Sequence, residues 1–265
     1  MSTSSPADNS TVANSTVASS TVTSRAAQGF PWFDRLGVFD LETTGIDTET
    51  SRIVSAYVGV IDAEGAPRGV SWLADPGVEI PTQATAVHGI STERARAEGR
   101  EAPEVVAEIV AVLRALLAQG VPLVVYNAAY DLTLLHNECL RYGIEPLIDP
   151  TPVVDPLVID RAMDRYRKGK RTLEAAAEFY GVELMDAHDA EADAVAAGRV
   201  AQAIARKYSD TLGDDVIMVH TNQVAWASDS AASFQEYMRR TKDPAFVADG
   251  EWPLRAALGT SSISR

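Results

Sequence analysis

The chain has 265 residues, of which 46% are hydrophobic, and it carries a formal net charge of −14. This length is enough for one large α/β domain with appendages or for two small domains. The negative charge argues against a protein that coats nucleic acid through bulk electrostatics, because that mode of binding requires many Lys and Arg contacts to phosphates. It does not exclude an enzyme that handles a single strand end.

Cysteine content and hydropathy indicate where the protein works. Cys139 is the single cysteine, which excludes an intramolecular disulfide framework and a cysteine-based zinc site. No apolar run approaches the length of about 18 residues that a membrane span needs, and the N-terminus lacks the basic and hydrophobic regions of a signal peptide. We therefore expect a soluble cytoplasmic protein with no membrane partner.

The first part of the chain combines a polar tail with a β-meander. Residues 1–28 are rich in Ser, Thr, Ala and Val, and we predict that they form a disordered tail. Three apolar runs separated by turn residues follow, and each predicts a strand. These strands are Leu36–Asp40, Ile53–Ile61 and Val70–Leu73.

Helical periodicity dominates the middle of the chain. Ser91 is a predicted N-cap for a short helix. Pro103 opens a longer helix, whose apolar residues repeat at helical spacing until Gly120 ends it. A buried strand over Leu123–Tyr126 then passes directly into another helix.

Four further elements follow. We predict a strand and turn over Pro152–Asp160, and a helix over Leu173–Tyr180. An Ala-rich helix reaches about Tyr208, and a helix with aromatic residues covers roughly Asp215–Arg240.

The order of strands and helices predicts an α/β fold with one mixed sheet flanked by helices. We divide the chain into the disordered tail, a domain over residues 29–208, and a C-terminal helical extension over residues 209–265. The extension is expected to pack on the domain, because about fifty residues form a poor core alone.

Asp40 and Glu42 form an acidic pair at the end of the first predicted strand. In a strand, residues i and i+2 point to the same face, so the two carboxylates stand side by side. Such a pair is either a solvated strand end or a site for a divalent cation, and its oxygen ligands suit Mg²⁺ or Mn²⁺. The pair alone leaves both interpretations open.

Three other residues extend the set of candidates, and each has a structural interpretation. Asp131 lies in the first turn of its predicted helix, where the helix dipole favours a carboxylate. His188 and Asp193 lie near the start of the Ala-rich helix, where polar residues are often solvated.

Three motifs together resemble those of the DEDDh 3′–5′ exonucleases, a family that includes proofreading subunits of bacterial DNA polymerase III and RNase T. They are Asp-Leu-Glu-Thr-Thr-Gly at 40–45, Asn-Ala-Ala-Tyr-Asp at 127–131 and His-Asp-Ala-Glu-Ala-Asp at 188–193. Val-His-Gly-Ile at 87–90 also agrees. Tyr130 stands where family members often have Phe, which keeps the aromatic ring.

The resemblance covers roughly residues 34–206 and implies an RNase H-like fold, with a mixed five-stranded sheet whose first three strands form an antiparallel meander. It also implies two-metal hydrolysis of phosphodiesters, with ions about 3.5–4 Å apart. Asp40, Glu42 and Asp193 would hold one Mg²⁺ or Mn²⁺ ion, and Asp40 would bridge to a second ion supported by Asp131. His188 would be the general base.

The same resemblance implies where the substrate binds. Leu41, Thr43 and Thr44 would line the pocket for the terminal nucleotide, with His88 beside that nucleotide. Asn127 would orient the turn of the second motif or the nucleotide itself.

Six basic residues lie between positions 161 and 171 of this acidic chain, including Lys170 and Arg171. They are interpreted either as a track for substrate phosphates or as a solvated loop; their clustering favours the track.

The expected activity is therefore a 3′–5′ exonuclease acting on DNA 3′ ends, single-stranded or frayed. One alternative is an exoribonuclease acting on short RNA or tRNA-like ends, since a few contacts decide whether the 2′-hydroxyl is recognised. An alternative of another class is a non-catalytic module that binds nucleic acid or a polymerase, which the intact acids and histidine disfavour. No polymerase-binding peptide is recognisable in residues 209–265.

Overall fold

A computed structural model describes Met1, residues 31–184 and residues 187–255. Apart from Met1, the predicted tail over residues 1–28 lies outside the described residues. The described strands form one sheet of six, in the order β4-β3-β2-β1-β5-β6. The strands are β1 Arg35–Thr43, β2 Ile53–Asp62, β3 Arg68–Asp75, β4 Arg100–Glu101, β5 Leu123–Val124 and β6 Val153–Val154.

The sheet is mixed, as the sequence predicts. The first three strands are an antiparallel meander, whereas β5 and β6 run parallel to β1. The sixth strand, β4, was not predicted; it has two residues and pairs with the edge strand β3.

Helices cover both faces of the sheet. They are α1 Thr82–His88, α2 Thr92–Glu98, α3 Ala102–Ala118, α4 Ala128–Tyr142, α5 Pro156–Met163, α6 Leu173–Tyr180, α7 Ala190–Lys207, α8 Ser209–Leu212 and α9 Val216–Thr241. None of these helices is both long and apolar enough to cross a membrane.

Alternation along β1 separates two hydrophobic cores. Phe39 and Leu41 belong to the core that includes residues of α3 and α4, while Leu36 and Val38 belong to the core that includes residues of α7. Because side chains alternate along a strand, Asp40 lies on the same face as Val38. The first acid of the candidate site therefore faces α7.

A glycine lets α7 approach the sheet closely. A Cβ atom on Gly198 would lie 2.5 Å from both Ile61 Cδ1 and Val38 Cγ1. No ordinary side chain fits at that distance without movement of its neighbours. Gly198 therefore sets the separation between α7 and the central strands.

Most of the predicted helices are confirmed, and two regions differ. Ser91 caps α2 by accepting a hydrogen bond from the Arg94 N–H, and α6 covers Leu173–Tyr180 as predicted. The strand and turn predicted over Pro152–Asp160 are instead a two-residue strand followed by α5, with Asp155 as the N-cap. Helix α1 was not predicted, and none of its residues is buried.

The C-terminal part of the described chain is helical and contacts the sheet edge. Gln223 of α9 is fully buried; its side-chain amide donates to the Val153 carbonyl and accepts from the Asp155 N–H. Trp252 lies in the core that contains α3 and α4. The domain boundary at residue 208 stays a prediction.

Candidate active site

Three carboxylates meet where β1 ends and α7 begins. Strand alternation places Asp40 and Glu42 on the face covered by α7, and the close packing of that helix brings Asp193 to them. One carboxylate oxygen from each residue lies within 4.8 Å of the other two. The structure therefore assembles residues that lie about 150 positions apart in the chain into one acidic cluster.

Asp131 adds a fourth carboxylate next to this cluster. It lies in the first turn of α4 and is only 3% exposed. Burial raises its pKa, an effect opposed by hydrogen bonds from its own backbone and from the backbone of Leu41. Asp131 in turn raises the pKa of Asp40, so the two carboxylates are close in space.

Crowding of like charges perturbs the whole cluster. Burial raises the pKa of Asp40 well above its ordinary value, and Asp131, Glu42 and Asp193 add to this effect. Burial, together with Asp193 and Asp189, raises the pKa of Glu42 to about 8. Without a bound cation, the acids can reduce their mutual repulsion only by taking up protons.

The cluster fits a divalent cation. Oδ1 of Asp193 is buried and has no hydrogen-bond partner among the described residues. A buried carboxylate oxygen is normally satisfied, and this one belongs to a side chain that lies against Asp40 and Glu42. Hard oxygen ligands of this kind match the preferences of Mg²⁺ and Mn²⁺.

His188 lies beside the acidic cluster on the segment that precedes α7. Its backbone N–H donates to Asp193 Oδ2 at 3.2 Å, and its side chain is 45% exposed. The imidazole Nε2 is 3.7 Å from Oε1 of Glu174, an acid that the sequence did not single out. No local signal could have identified Glu174, because the fold alone brings α6 to His188.

His88 points toward the same region from the end of α1. Its Nδ1 accepts a hydrogen bond from the Ile90 N–H at 3.2 Å, so Nε2 carries the proton in the neutral ring. Burial lowers the pKa of His88, and the nearby His188 adds to that effect, while the Thr43 backbone opposes it. The predicted nucleotide contact thus lies between the end of β1 and His188.

Tyr130 holds the turn that follows β1. Its hydroxyl donates to the Gly45 carbonyl at 2.5 Å and lies 2.6 Å from Thr43 Oγ1, which also contacts the Gly45 carbonyl. The sequence suggested only an aromatic ring at position 130. The hydroxyl connects α4 to the predicted nucleotide pocket.

The other predicted pocket residues occupy different environments. The side chain of Leu41 is in the core and only 6% exposed. Thr44 is buried, and its hydroxyl accepts a hydrogen bond from the Arg52 N–H at 2.9 Å. These two buried residues therefore stabilise the end of β1 through contacts inside the protein.

Asn127 is exposed and adopts a left-handed backbone conformation, with φ of 64°. Asp155, which the sequence analysis did not select, fixes this turn by accepting the N–H groups of Asn127 and Ala128 at 3.0 and 2.9 Å. The position of Asp155 directly before Pro156 is typical of a helix N-cap and is the signal that could have found it.

The basic segment divides into a buried part and an exposed part. Arg171 donates to Asp160 Oδ2 at 2.6 Å and to the Asp164 carbonyl, and Arg167 donates to the same carboxylate oxygen at 2.5 Å. Arg171 therefore stabilises the loop between α5 and α6 internally.

Lys170 is exposed on that loop and lies near Glu174. Hydrogen bonds from Thr172 and from the Glu174 backbone lower the pKa of Glu174, and Lys170 contributes to the lowering. Of the two predicted basic contacts, Lys170 is the one placed at the surface beside the His188 region.

Solved structures of similar fold include those of E. coli exonuclease I. The complex of E. coli exonuclease I with a dT13 oligonucleotide has a TM-score of 0.56 and 22% identity, over 67% of this chain and 42% of that chain. The zinc-bound E. coli exonuclease I–ssDNA complex has a TM-score of 0.57 and 21% identity, over 66% of this chain and 41% of that chain. This likeness supports the expected RNase H-like fold.

Two curated relatives are described as DNA polymerase III PolC-type. The protein from Lacticaseibacillus paracasei is 26% identical over 177 residues, which are 66% of this chain and 12% of that protein. The one from Caldanaerobacter subterraneus subsp. tengcongensis is 26% identical over 163 residues, which are 62% of this chain and 11% of that protein. The chain thus spans only a small part of the length of these relatives.

The comparison with family models gives the broader assignment. The RNase_T model, described as Exonuclease, matches residues 38–201, a range that contains every carboxylate of the cluster and His188. Because this match covers more than half of the 265 residues, the chain belongs to the RNase T exonuclease family and is a nuclease.

Proposed function

We propose that the protein is a metal-dependent 3′–5′ exonuclease of the DEDDh type, which removes nucleotides from the 3′ end of single-stranded or frayed DNA. The observation that carries this proposal is the cluster of Asp40, Glu42 and Asp193 beside His188. A buried group of acids without a counter-charge destabilises a fold, and its retention is understandable when the acids serve a bound cation.

Four carboxylates would hold two Mg²⁺ or Mn²⁺ ions. Asp40, Glu42 and Asp193 would hold one ion, and Asp40 would be shared with a second ion that Asp131 supports. When bound, such ions neutralise the acids and the phosphate and make water a better nucleophile near neutral pH. The pairing of four carboxylates with two dications leaves no net charge in the cluster.

His188 is the proposed general base. Its exposed imidazole is accessible to water and substrate, and the hydrogen bond from its backbone to Asp193 fixes its position relative to the acids. The Glu174 carboxylate lies 3.7 Å from Nε2 and faces the imidazole that would accept a proton from water.

The terminal nucleotide would bind at the end of β1. Thr43, held by the Tyr130 hydroxyl, and His88 would contact it directly, while Leu41 and Thr44 keep the strand end in place. Asn127 and Lys170 would contact the strand on either side, and Arg171 would act by holding the loop that carries Lys170.

DNA is the proposed substrate because the names of similar proteins refer to it. The relatives are DNA polymerases III of the PolC type, and the exonuclease I structures contain a dT13 oligonucleotide or single-stranded DNA. The basic surface near Lys170 agrees with a single strand whose phosphates pass the site.

The test uses matched DNA and RNA oligonucleotides labelled at the 5′ end, incubated with protein and Mg²⁺ or Mn²⁺. We expect a descending ladder on DNA that disappears with EDTA. Asp193→Ala should abolish the ladder, because the variant lacks a carboxylate of the cluster. Glu191→Ala is the matched control, since Glu191 lies two positions away on the same helix, outside the cluster, and should leave the ladder unchanged.

Three outcomes would contradict the proposal. Internal cleavage would exclude an exonuclease, and full activity in EDTA or in Asp193→Ala would exclude the metal site. Faster degradation of RNA than of DNA would replace the proposed substrate with the ends of short RNA.

A further inference from the structure

A cavity of about 390 Å³ lies at the start of α4, close in the chain to the acidic site. Asn127 and Ala129 at the start of α4 line the cavity, and Asp131, two residues further along, belongs to the acidic site. The other walls come from α5, α9 and the segment 248–252. The cavity is therefore formed jointly by the exonuclease fold and the C-terminal helical part, at the carboxyl ends of β5 and β6, which run parallel to β1.

One wall of the cavity is apolar and aromatic. Val158 of α5 lines the cavity together with Ala227, Ala231 and Phe234 of α9. The Phe234 side chain is 51% exposed, and Phe246 supports it in an edge-to-face arrangement with ring centroids 5.4 Å apart. A supported ring that borders an open cavity offers a stacking surface for a flat ligand.

The polar lining of the cavity suits a nucleobase better than a phosphate. Asp249 and Asp155 line it, and Asp155 is saturated by hydrogen bonds from backbone N–H groups and from the Trp252 indole. Arg255 also lines the cavity, but its guanidinium is 3.4 Å from Asp249. These acidic oxygens repel phosphate, so the uncharged base is the part of a nucleotide that the interior of the cavity admits more readily.

Two cationic side chains also line the cavity, and one of them, Arg255, is paired with Asp249. Arg161 borders the cavity, is exposed, and has no ion-pair partner among the residues that the structure describes. Further along the same basic segment, Lys168 and Lys170 are exposed, with Lys170 near Glu174 and therefore near His188. Exposed cations thus occur both near His188 and at the cavity, and they could contact the phosphates of a bound strand.

We propose that this cavity receives one base of the substrate strand, on the 5′ side of the scissile phosphate, with the base stacked on Phe234 and a neighbouring phosphate at Arg161. The inference rests on the proposed exonuclease function and assigns a substrate subsite to the C-terminal helical part. The subsite keeps the strand bound after each cleavage, since it contacts a nucleotide that remains on the substrate.

The first test varies the DNA ligand and uses a variant that is expected to bind DNA without cutting it. Asp40→Asn protein is titrated with single-stranded DNA of one sequence that carries a single abasic position, moved one nucleotide at a time from the 3′ end. We expect a minimum in affinity at one internal position, about tenfold below its neighbours, because one base–aromatic stack is lost there. The same scan on Asp40→Asn/Phe234→Ala should lack this minimum.

The second test uses steady-state kinetics in the active protein. Phe234→Ala removes the stacking ring, and Ala231→Trp fills the cavity. Each variant should raise KM for a long strand about tenfold. Neither should change the rate at which a dinucleotide is hydrolysed. Tyr237→Ala is the matched control, because Tyr237 is an exposed aromatic residue of α9 that does not line the cavity.

The two proposals fail in different ways. A flat abasic scan, or a scan unaffected by Phe234→Ala, overturns the base subsite when the wild-type protein still produces a 3′–5′ ladder. Absence of any ladder from the wild-type protein overturns the exonuclease proposal and the subsite with it.

Discussion

At the scale of single residues, the carboxylates at the end of β1 repel one another electrostatically when no cation is bound. Burial and neighbouring carboxylates raise the pKa of Glu42 from an ordinary value of 4.5 to about 8. The folded chain then binds a proton more tightly than the unfolded chain between these two values. Stability must therefore fall as pH rises through this range, because the free energy of unfolding decreases wherever the native state holds more protons.

We predict that the melting temperature in EDTA decreases between about pH 5 and pH 8, and that Mg²⁺ restores it at the upper end. Glu42→Gln should reduce the slope in EDTA, since the amide does not titrate, while the raised pKa values of Asp40 and Asp131 preserve part of it. Glu191→Gln serves as the control and should keep the wild-type slope. A melting temperature that rises over this range in EDTA would contradict the assignment.

The Tyr130 hydroxyl gives a second prediction at this scale. Tyr130→Phe removes its hydrogen bonds to Thr43 and Gly45 and should raise KM about fivefold, the effect of losing about 1 kcal/mol from the nucleotide pocket. Tyr57→Phe is the control, because the buried Tyr57 hydroxyl has no partner among the described residues. Its removal should leave KM unchanged, and an equal rise in both variants would contradict a specific role for Tyr130.

At the scale of elements, the sequence was most informative where a local pattern was long. The ten residues of β2 form a long apolar run and the seventeen of α3 show helical periodicity, and both elements were predicted. Helix α1 has no buried residue and hence no apolar pattern. Helix α5 follows a strand of only two residues. The apolar run that covers this strand and the start of α5 was therefore interpreted as one longer strand and turn.

Local sequence patterns also predicted only part of the candidate site. Alternation along β1 was sufficient to place Asp40 and Glu42 on one face. No local pattern indicated that Asp193 lies near this pair. That prediction came from the resemblance of the three motifs to those of a known family. The contact between His188 and Glu174 depends on the packing of α6 against α7, which no spacing in the chain encodes.

The separation between α7 and the sheet should control the geometry of the cluster. Gly198→Ala would improve helix propensity, yet its Cβ meets Ile61 and Val38 at 2.5 Å. We predict destabilisation of about 1–3 kcal/mol in urea unfolding, together with a lower kcat, because α7 carries Asp193. Ile61→Val removes one of the clashing methyl groups and should partly restore both quantities in the double variant. A more stable Gly198→Ala protein would contradict this account.

At the scale of the whole molecule, α9 is joined through buried polar groups to the end of the sheet that carries the acidic cluster. Gln223 binds Val153 and Asp155, and Asp155 in turn binds the backbone at the start of α4. The helical C-terminal part and the exonuclease fold should therefore unfold together.

Gln223→Leu keeps the volume and removes these hydrogen bonds, which leaves the buried Asp155 N–H without its acceptor. We predict a loss of about 2–4 kcal/mol of stability in urea, with a lower kcat.

In the wild-type protein, transitions followed by tryptophan fluorescence and by far-UV circular dichroism should coincide. Thr221→Val, an exposed change on the same helix, is the control and should have little effect. Two separated wild-type transitions would show that the parts are independent.

The backbone of His188 has a consequence for protein engineering. His188 and Asn127 both adopt left-handed conformations, with φ of 73° and 64°, and such conformations cost a residue with a side chain about 1–2 kcal/mol relative to glycine. A selection for heat resistance alone would therefore accept glycine at position 188 and discard the proposed base. Any programme that improves the durability of this enzyme must select for turnover at every round.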